Sequence, residues 1–246
     1  GELITAYGYG LENGSKVLNT VNYYTNEEIS IPLDPTLSPM ENAKNYFDKY
    51  NKLKRTYDAL TVQLKETEEE LAHLESIKNS LDIAVDENDL IAVKKELTEY
   101  GYMKRKANDS GKNKKASTKG SVKSKPLHYI SSDGFHIYVG KNNYQNDELT
   151  FLLAEGGDWW FHAKKAAGSH VIVKSEGKEL PDRTFEEAAR LAAYYSSERD
   201  AQKVEVDYTL KKNVKKPAGA KPGFVVYYTN YSMMASTDIT GITEVK

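Results

Sequence analysis

The hydrophobic positions fall into three stretches with different periods. Near the start, "KVLNTVNYY" and "EEISIPL" are rich in Val, Ile and Tyr on either side of Thr25-Asn26, which predicts two strands, while residues 2–11 fit strand or helix equally. At Ser38 the period changes. Ser38 as N-cap, Pro39 in the first turn and Glu41 three residues after the cap make a helix start, and no Gly or Pro interrupts the chain from there to Leu81. That predicts a helix of roughly 43 residues, about 65 Å long. Ala43, Tyr46, Tyr50, Leu53, Tyr57, Leu60 and Leu64 step along it by threes and fours, and the series continues to Leu81 as the seam of a coiled coil.

A helix of that length with one apolar stripe needs a partner. The segment Glu87–Tyr100, between an Asp86 cap and Gly101, is about a third as long and cannot cover it. The partner is therefore expected upstream, since the apolar start "GELITAY" reads as a piece of a longer chain; the alternative is a second copy, making a homodimer.

From Pro126 the pattern becomes that of a compact domain. "LHYIS" and "FHIYVG" alternate around Ser132-Asp133-Gly134 and predict a hairpin; "NDELTFLLA" predicts a short helix capped by Asn146. "DWWFHA" and "SHVIVKS" predict two more strands. "TFEEAARLAAYYSSE" predicts a helix with Thr184 and Glu187 as its capping box, and "KVEVDYTL" and "GFVVYYT" are expected to close the sheet around the loop "KKNVKKPAGAKP". Strands outnumber helices and hairpins dominate. The expected class is α+β: a long coiled-coil helix with a small β module, then a mainly antiparallel domain with one principal helix on a face. The expected division is 1–37 for the β module, 38–103 for the arm and short helix, 104–125 for a basic flexible linker and 126–246 for the last domain.

Composition removes several chemistries. With no cysteine there are no disulfides, thiol nucleophiles or thiolate metal sites, and the redox compartment stays undecided. No apolar run approaches the roughly 20 residues a membrane span needs. The net charge of −2 hides segregation: residues 1–103 carry 10 basic against 19 acidic side chains, 104–125 carry 9 against 1, and 126–246 carry 15 against 16. Binding to polyanions must therefore be judged cluster by cluster.

The stretch "DWWFHAKKAAGSH", residues 158–170, holds both tryptophans and two of five histidines. His162 shares a strand face with Trp160 and Asp158, and reads as a histidine hydrogen-bonded at a core edge ahead of a metal ligand. Ser169 and His170, adjacent in a strand, face apart and cannot form a nucleophile–base pair. There is no GxSxG elbow and no GxxxxGK[ST] phosphate loop, so no enzymatic activity, cofactor or metal is expected. The Trp pair is expected to straddle the sheet, with Trp159 or Tyr144 as candidate base-stacking rings. Nucleic-acid binding has more behind it. Lys211, Lys212, Lys215, Lys216 and Lys221 fall within eleven residues that contain no acid, in a loop held between strands, and Lys164 and Lys165 could extend the patch.

"KNNYQND", "DWWFHAKKAAGSHVIV", "EEAARLAAYYS", "VEVDYT" and "VKKPAGAKPGFVVY", in this order, resemble the NFACT-R domain. That domain ends bacterial ribosome quality-control factors of the RqcH type, often filed as fibronectin-binding proteins. "GELITAYGYG", "IPLDPTLSPMENAKNYFDKYNKLK" and "ELTEYGYMK" are similar to the middle segment and second coiled-coil arm of the same family. The resemblance implies a cytoplasmic protein that binds large ribosomal subunits obstructed by peptidyl-tRNA, through rRNA and the stalk-base region, and supports C-terminal alanine tailing of stalled chains. It implies tRNA contacts through the longer protein, and for this part an RNA-binding role. The motif places Asn142, Asn143, Asn146, Asp147, Asp158, Trp160, His162, Gly168, Ser169, His170, Lys216, Pro217, Lys221, Pro222 and Gly223; of these Asn142, Asn143, His162 and His170 join the lysines as expected RNA contacts. The alternative reading is a fibronectin-binding surface adhesin.

Overall fold

The computed structural model describes residues 1–12, 14–104 and 124–245. The body of the expected basic linker, residues 105–123, lies outside the described residues. The chain is α+β and divides into two compact units, Gly1–Glu69 and Glu70–Lys246.

In the first unit the ambiguous start is helical: α1 spans Glu2–Tyr7 and is followed by one 3-10 turn. β1 (Val17–Asn22) and β2 (Glu27–Pro32) pair antiparallel, and Asn26 takes the positive φ that their turn requires. Ile4, Leu18, Ile31, Leu33 and Ala43 form a small core. Asn42 locks the entry to the long helix: its carbonyl oxygen accepts from the Asp34 amide at 2.7 Å while its amide group donates to the Asp34 carbonyl at 3.0 Å. α2 spans Pro39–Asp82, and its residues are divided between the two units. The expected capping box is present, with the Ser38 amide donating to Glu41 at 2.8 Å and the Glu41 amide to Ser38 Oγ at 3.3 Å. Along the predicted seam Tyr50, Leu53, Tyr57, Leu60 and Leu64 are all exposed.

In the second unit α3 (Glu87–Glu99) starts at an Asp86 cap whose box is completed by Asp89. The strands β3 (Leu127–Ile130), β4 (His136–Val139), β5 (Trp159–Ala163), β6 (Val171–Val173), β7 (Lys203–Leu210), β10 (Tyr231–Ser236) and β11 (Thr243–Glu244) form one antiparallel sheet in the order β10-β7-β5-β6-β4-β3-β11. α5 (Asp182–Tyr194) covers one face, over a core that includes Phe161, Val171, Val173, Ile137, Leu191 and Val206. α4 (Asn143–Glu148), continued by one π-turn to Leu153, belongs to the opposite face, as does a ribbon of β8 (Val214–Lys215) and β9 (Val226–Tyr227).

Three local expectations are corrected. α4 starts earlier and is capped by Asn142 instead of Asn146, the Asn142 side chain accepting from the Gln145 amide at 3.0 Å. α5 also starts earlier, after Pro181, so Thr184 and Glu187 lie inside it and bond across the fold. Thr184 Oγ1 donates to Asp133 at 2.8 Å, and Glu187 accepts from the Ser132 amide at 2.8 Å, holding the β3–β4 turn to the helix. Finally, "GFVVYYT" pairs only with β8, and the sheet is closed by β10 and β11.

Candidate RNA-binding face

Alternation along β5 decides what each half of "DWWFHA" does. Trp159, Phe161 and Ala163 point toward α5, and Trp160 and His162 point to the opposite face. Trp160 is fully buried among Leu149, Ala154, Ile172 and Val214, with Val225 and Tyr227 packed on the same cluster. The Tyr227 ring lies 4.8 Å from Trp160, and its hydroxyl donates to Asp207 at 2.8 Å. The inward residues of the β8–β9 ribbon thus tie it to the sheet, and the lysine loop is carried on that ribbon.

The tip of the loop is tied down as well. Lys216 ion-pairs with Asp147 of α4, and the same carboxylate accepts from the Gly223 amide at 3.1 Å. Gly223 has φ +77°, and a Cβ there would collide with the Asn143 amide, so the turn demands glycine twice over. Lys221 Nζ lies 3.4 Å from the Tyr102 hydroxyl and 5.9 Å from the Tyr100 ring. Lys212 and Lys215 are exposed and Lys211 is half-buried. Among the described residues, Lys211, Lys212, Lys215 and Lys221 form no salt bridge. Residues 208–237 contain these five lysines and no Asp or Glu, so the ribbon carries one sign of charge along its length.

Lys164 and Lys165 do not join that patch. Trp159 pairs with Leu210, where β7 hands over to the lysine loop, whereas Ala163 pairs with Val206 at the other end of β5. There Lys164 is held by Glu205 at 2.6 Å and Asp207 at 3.8 Å. Lys165 lines a separate groove of about 530 Å³ with Glu75, Lys78, Asn79, Asp82 and Arg199.

Asn142, Asn143 and His170, expected at the RNA surface, are buried and committed to internal hydrogen bonds. Asn142 caps α4. Asn143 donates to Ser76 Oγ and to the fully buried Glu96, both at 2.8 Å; Glu96 also pairs with His73 at 3.0 Å. His170 Nδ1 bonds Thr150 Oγ1 at 2.8 Å, and its backbone amide donates to Asn146 Oδ1 at 3.0 Å. These residues set the position of α4, hence of Asp147 and the loop tip, and act on the face from behind. Burial, reinforced by the neighbouring His162, holds the His170 pKa well below the ordinary histidine value. His162 is half-buried, stacked at 5.6 Å on Trp160 and edge-on to His170 at 5.5 Å; desolvation lowers its pKa against the opposing pull of the Gly168 backbone. Both imidazoles are thereby kept neutral.

Asp158 staples β5 to β6. Its carboxylate accepts from Lys174 at 2.6 Å and from the amides of Glu155 and Ser175 at 2.7 and 2.9 Å. Burial opposes its ionisation, but Lys174 and the two amides outweigh burial and hold the pKa below the usual carboxylate range. The stacking candidates are both engaged elsewhere. Trp159 packs edge-on to Phe185 beneath α5 at 4.7 Å, and the Tyr144 hydroxyl donates to Glu99 at 2.6 Å. The exposed rings beside the lysines are instead Phe224 and Tyr228, hidden from sequence reading by the assignment of "GFVVYYT" to the main sheet. Among the described residues no group of three or more His, Asp or Glu converges as a metal site, and no helix is long and apolar enough to cross a membrane.

The family model for NFACT N-terminal and middle domains matches residues 1–116, and the model for the NFACT protein RNA binding domain matches residues 125–229. The chain is 41% identical over 232 residues to the Rqc2 homolog RqcH of Streptococcus suis, covering 92% of this chain and 39% of the relative. It is 38% identical to the Rqc2 homolog RqcH of Bacillus subtilis, covering 100% of this chain and 42% of that protein. The chain thus spans about two fifths of the length of these curated relatives. The solved C-terminal structure of the fibronectin/fibrinogen-binding protein from Streptococcus suis superposes with a TM-score of 0.69 at 38% identity, covering 82% of this chain and 77% of that one.

Proposed function

The chain belongs to the NFACT family, and from that premise we propose that it is the RNA- and ribosome-binding part of a cytoplasmic ribosome quality-control factor. In this reading the longer protein engages large ribosomal subunits obstructed by peptidyl-tRNA and supports alanine tailing, while transfer itself belongs to the ribosome. The observation that carries the RNA-binding part is the β8–β9 ribbon: five lysines without an acidic residue across residues 208–237, anchored on the buried Trp160. Anchoring matters because charges at a fixed place pay less ordering entropy on meeting phosphates than charges on a free tail. Lys211, Lys212 and Lys215 are the phosphate contacts; Lys216 and Lys221 hold the loop in shape through Asp147 and Tyr102.

The test is co-sedimentation of the chain with purified large subunits, beside immobilised fibronectin. Binding to subunits that is lost when Lys211, Lys212 and Lys215 are changed together to Glu is the expected result. Capture by fibronectin with no subunit binding would favour the second reading, an adhesin, which rests on the name of the structurally similar Streptococcus suis protein.

A further inference from the structure

Alternation divides the ribbon into two faces. Val214, Val225 and Tyr227 pack into the Trp160 cluster, which turns Lys215, Phe224, Val226 and Tyr228 to the outer face. Phe224 is 53% exposed and Tyr228 61%, so both rings present more than half of their surface to solvent. Lys215 stands opposite Val226, between the two rings. Neither ring hangs on a loose segment: the Phe224 amide donates to the Lys221 carbonyl at 3.2 Å, and the Tyr228 amide to the Asn213 carbonyl at 3.3 Å. The two ring-bearing positions flank the short strand β9 on either side, with Lys215 paired to Val226 between them.

A patch of lysines alone grips any phosphate backbone. Rings interleaved with lysines ask for more, because a ring stacks only on a base whose face is free. In an A-form duplex the base faces are covered by their neighbours and the major groove is too deep and narrow for side chains to enter. We infer that the outer face of the β8–β9 ribbon takes unpaired RNA, with Phe224 and Tyr228 stacking on bases and Lys215 pairing with the phosphate between them. This rests on the RNA-binding reading above and names its substrate class. Every base has a π face, so the site discriminates single strand from duplex without reading sequence.

The test is fluorescence anisotropy of the whole chain with a labelled uridine oligomer and with an RNA duplex of equal length, at one salt concentration. Phe224→Leu and Tyr228→Leu keep apolar bulk and remove the π face; Phe224→Tyr keeps the ring; Lys215→Gln removes the charge. Each Leu variant is expected to bind the oligomer about fivefold or more weakly, with duplex affinity held within about twofold. Phe224→Tyr should bind as the parent does, and Lys215→Gln should weaken both ligands. Leu variants that bind the oligomer normally, or lose both ligands alike, would overturn the stacking role while leaving the lysine reading intact. No binding of either RNA by the parent chain would overturn both.

Discussion

His170 carries a pH response that can be worked out from its surroundings. In the folded chain it stays neutral well below the ordinary value, because burial and His162 disfavour its charge. In the unfolded chain it protonates near the ordinary histidine value of 6.5. Between that pH and the lower folded pKa the unfolded state binds more protons, so stability falls as pH falls, by up to about 1.4 kcal/mol per pH unit. Thermal melts from pH 7.5 to 5 should show this decline, and His170→Gln should reduce the slope without abolishing it, since His162 acts in the same direction. An unchanged slope in His170→Gln would contradict the assignment. Asp158 works in a separate window: its lowered folded pKa gives stability that is present above the unfolded value near 3.8 and lost as pH falls through the folded one.

Helices and strands differ in how much of their placement is local. Trp160→Ala should cost about 3–5 kcal/mol, because the fully buried ring fills the centre of a cluster that joins ribbon, α4 segment and sheet. Leu60→Glu, at a seam position 58% exposed, should stay within about 0.5 kcal/mol. Denaturant unfolding of the two variants checks both, and a large loss at Leu60 accompanied by a fall in sedimentation mass would mean that a second copy covers the seam. The same contrast explains what was legible in the sequence. The Ser38–Glu41 box and the Asp86 cap were readable because both partners lie within one turn. Thr184 and Glu187 have the spacing of such a box, but their partners, Asp133 and Ser132, lie more than fifty residues away, and spacing cannot reveal that. β5 and β6 were readable from alternation, and the straddling Trp pair followed from it. "GFVVYYT" is as rich in β-branched and aromatic residues as a sheet strand, yet nothing in its own residues says that it pairs with two residues of β8 instead of the sheet. The lysine loop was visible as charge; the buried Asn143, Glu96 and His73 network behind it depends on tertiary contacts alone.

Across the whole molecule a net charge of −2 coexists with a 30-residue stretch, 208–237, that carries only positive charge. Long-range attraction to RNA is therefore governed by where the lysines stand, and Lys212 and Lys215 stand exposed on a ribbon fixed to the sheet. The family relation and the ribbon point to the same partner, an RNA surface met through its phosphates. The most direct measurement is the salt dependence of association with large ribosomal subunits, for the parent chain and for one with Lys211, Lys212 and Lys215 changed to Ala. Each phosphate contact contributes roughly 0.7–0.9 to the slope of log affinity against log salt, so losing three should flatten that slope by about 2 to 3. A variant that binds subunits with the parent's affinity and slope would contradict the account.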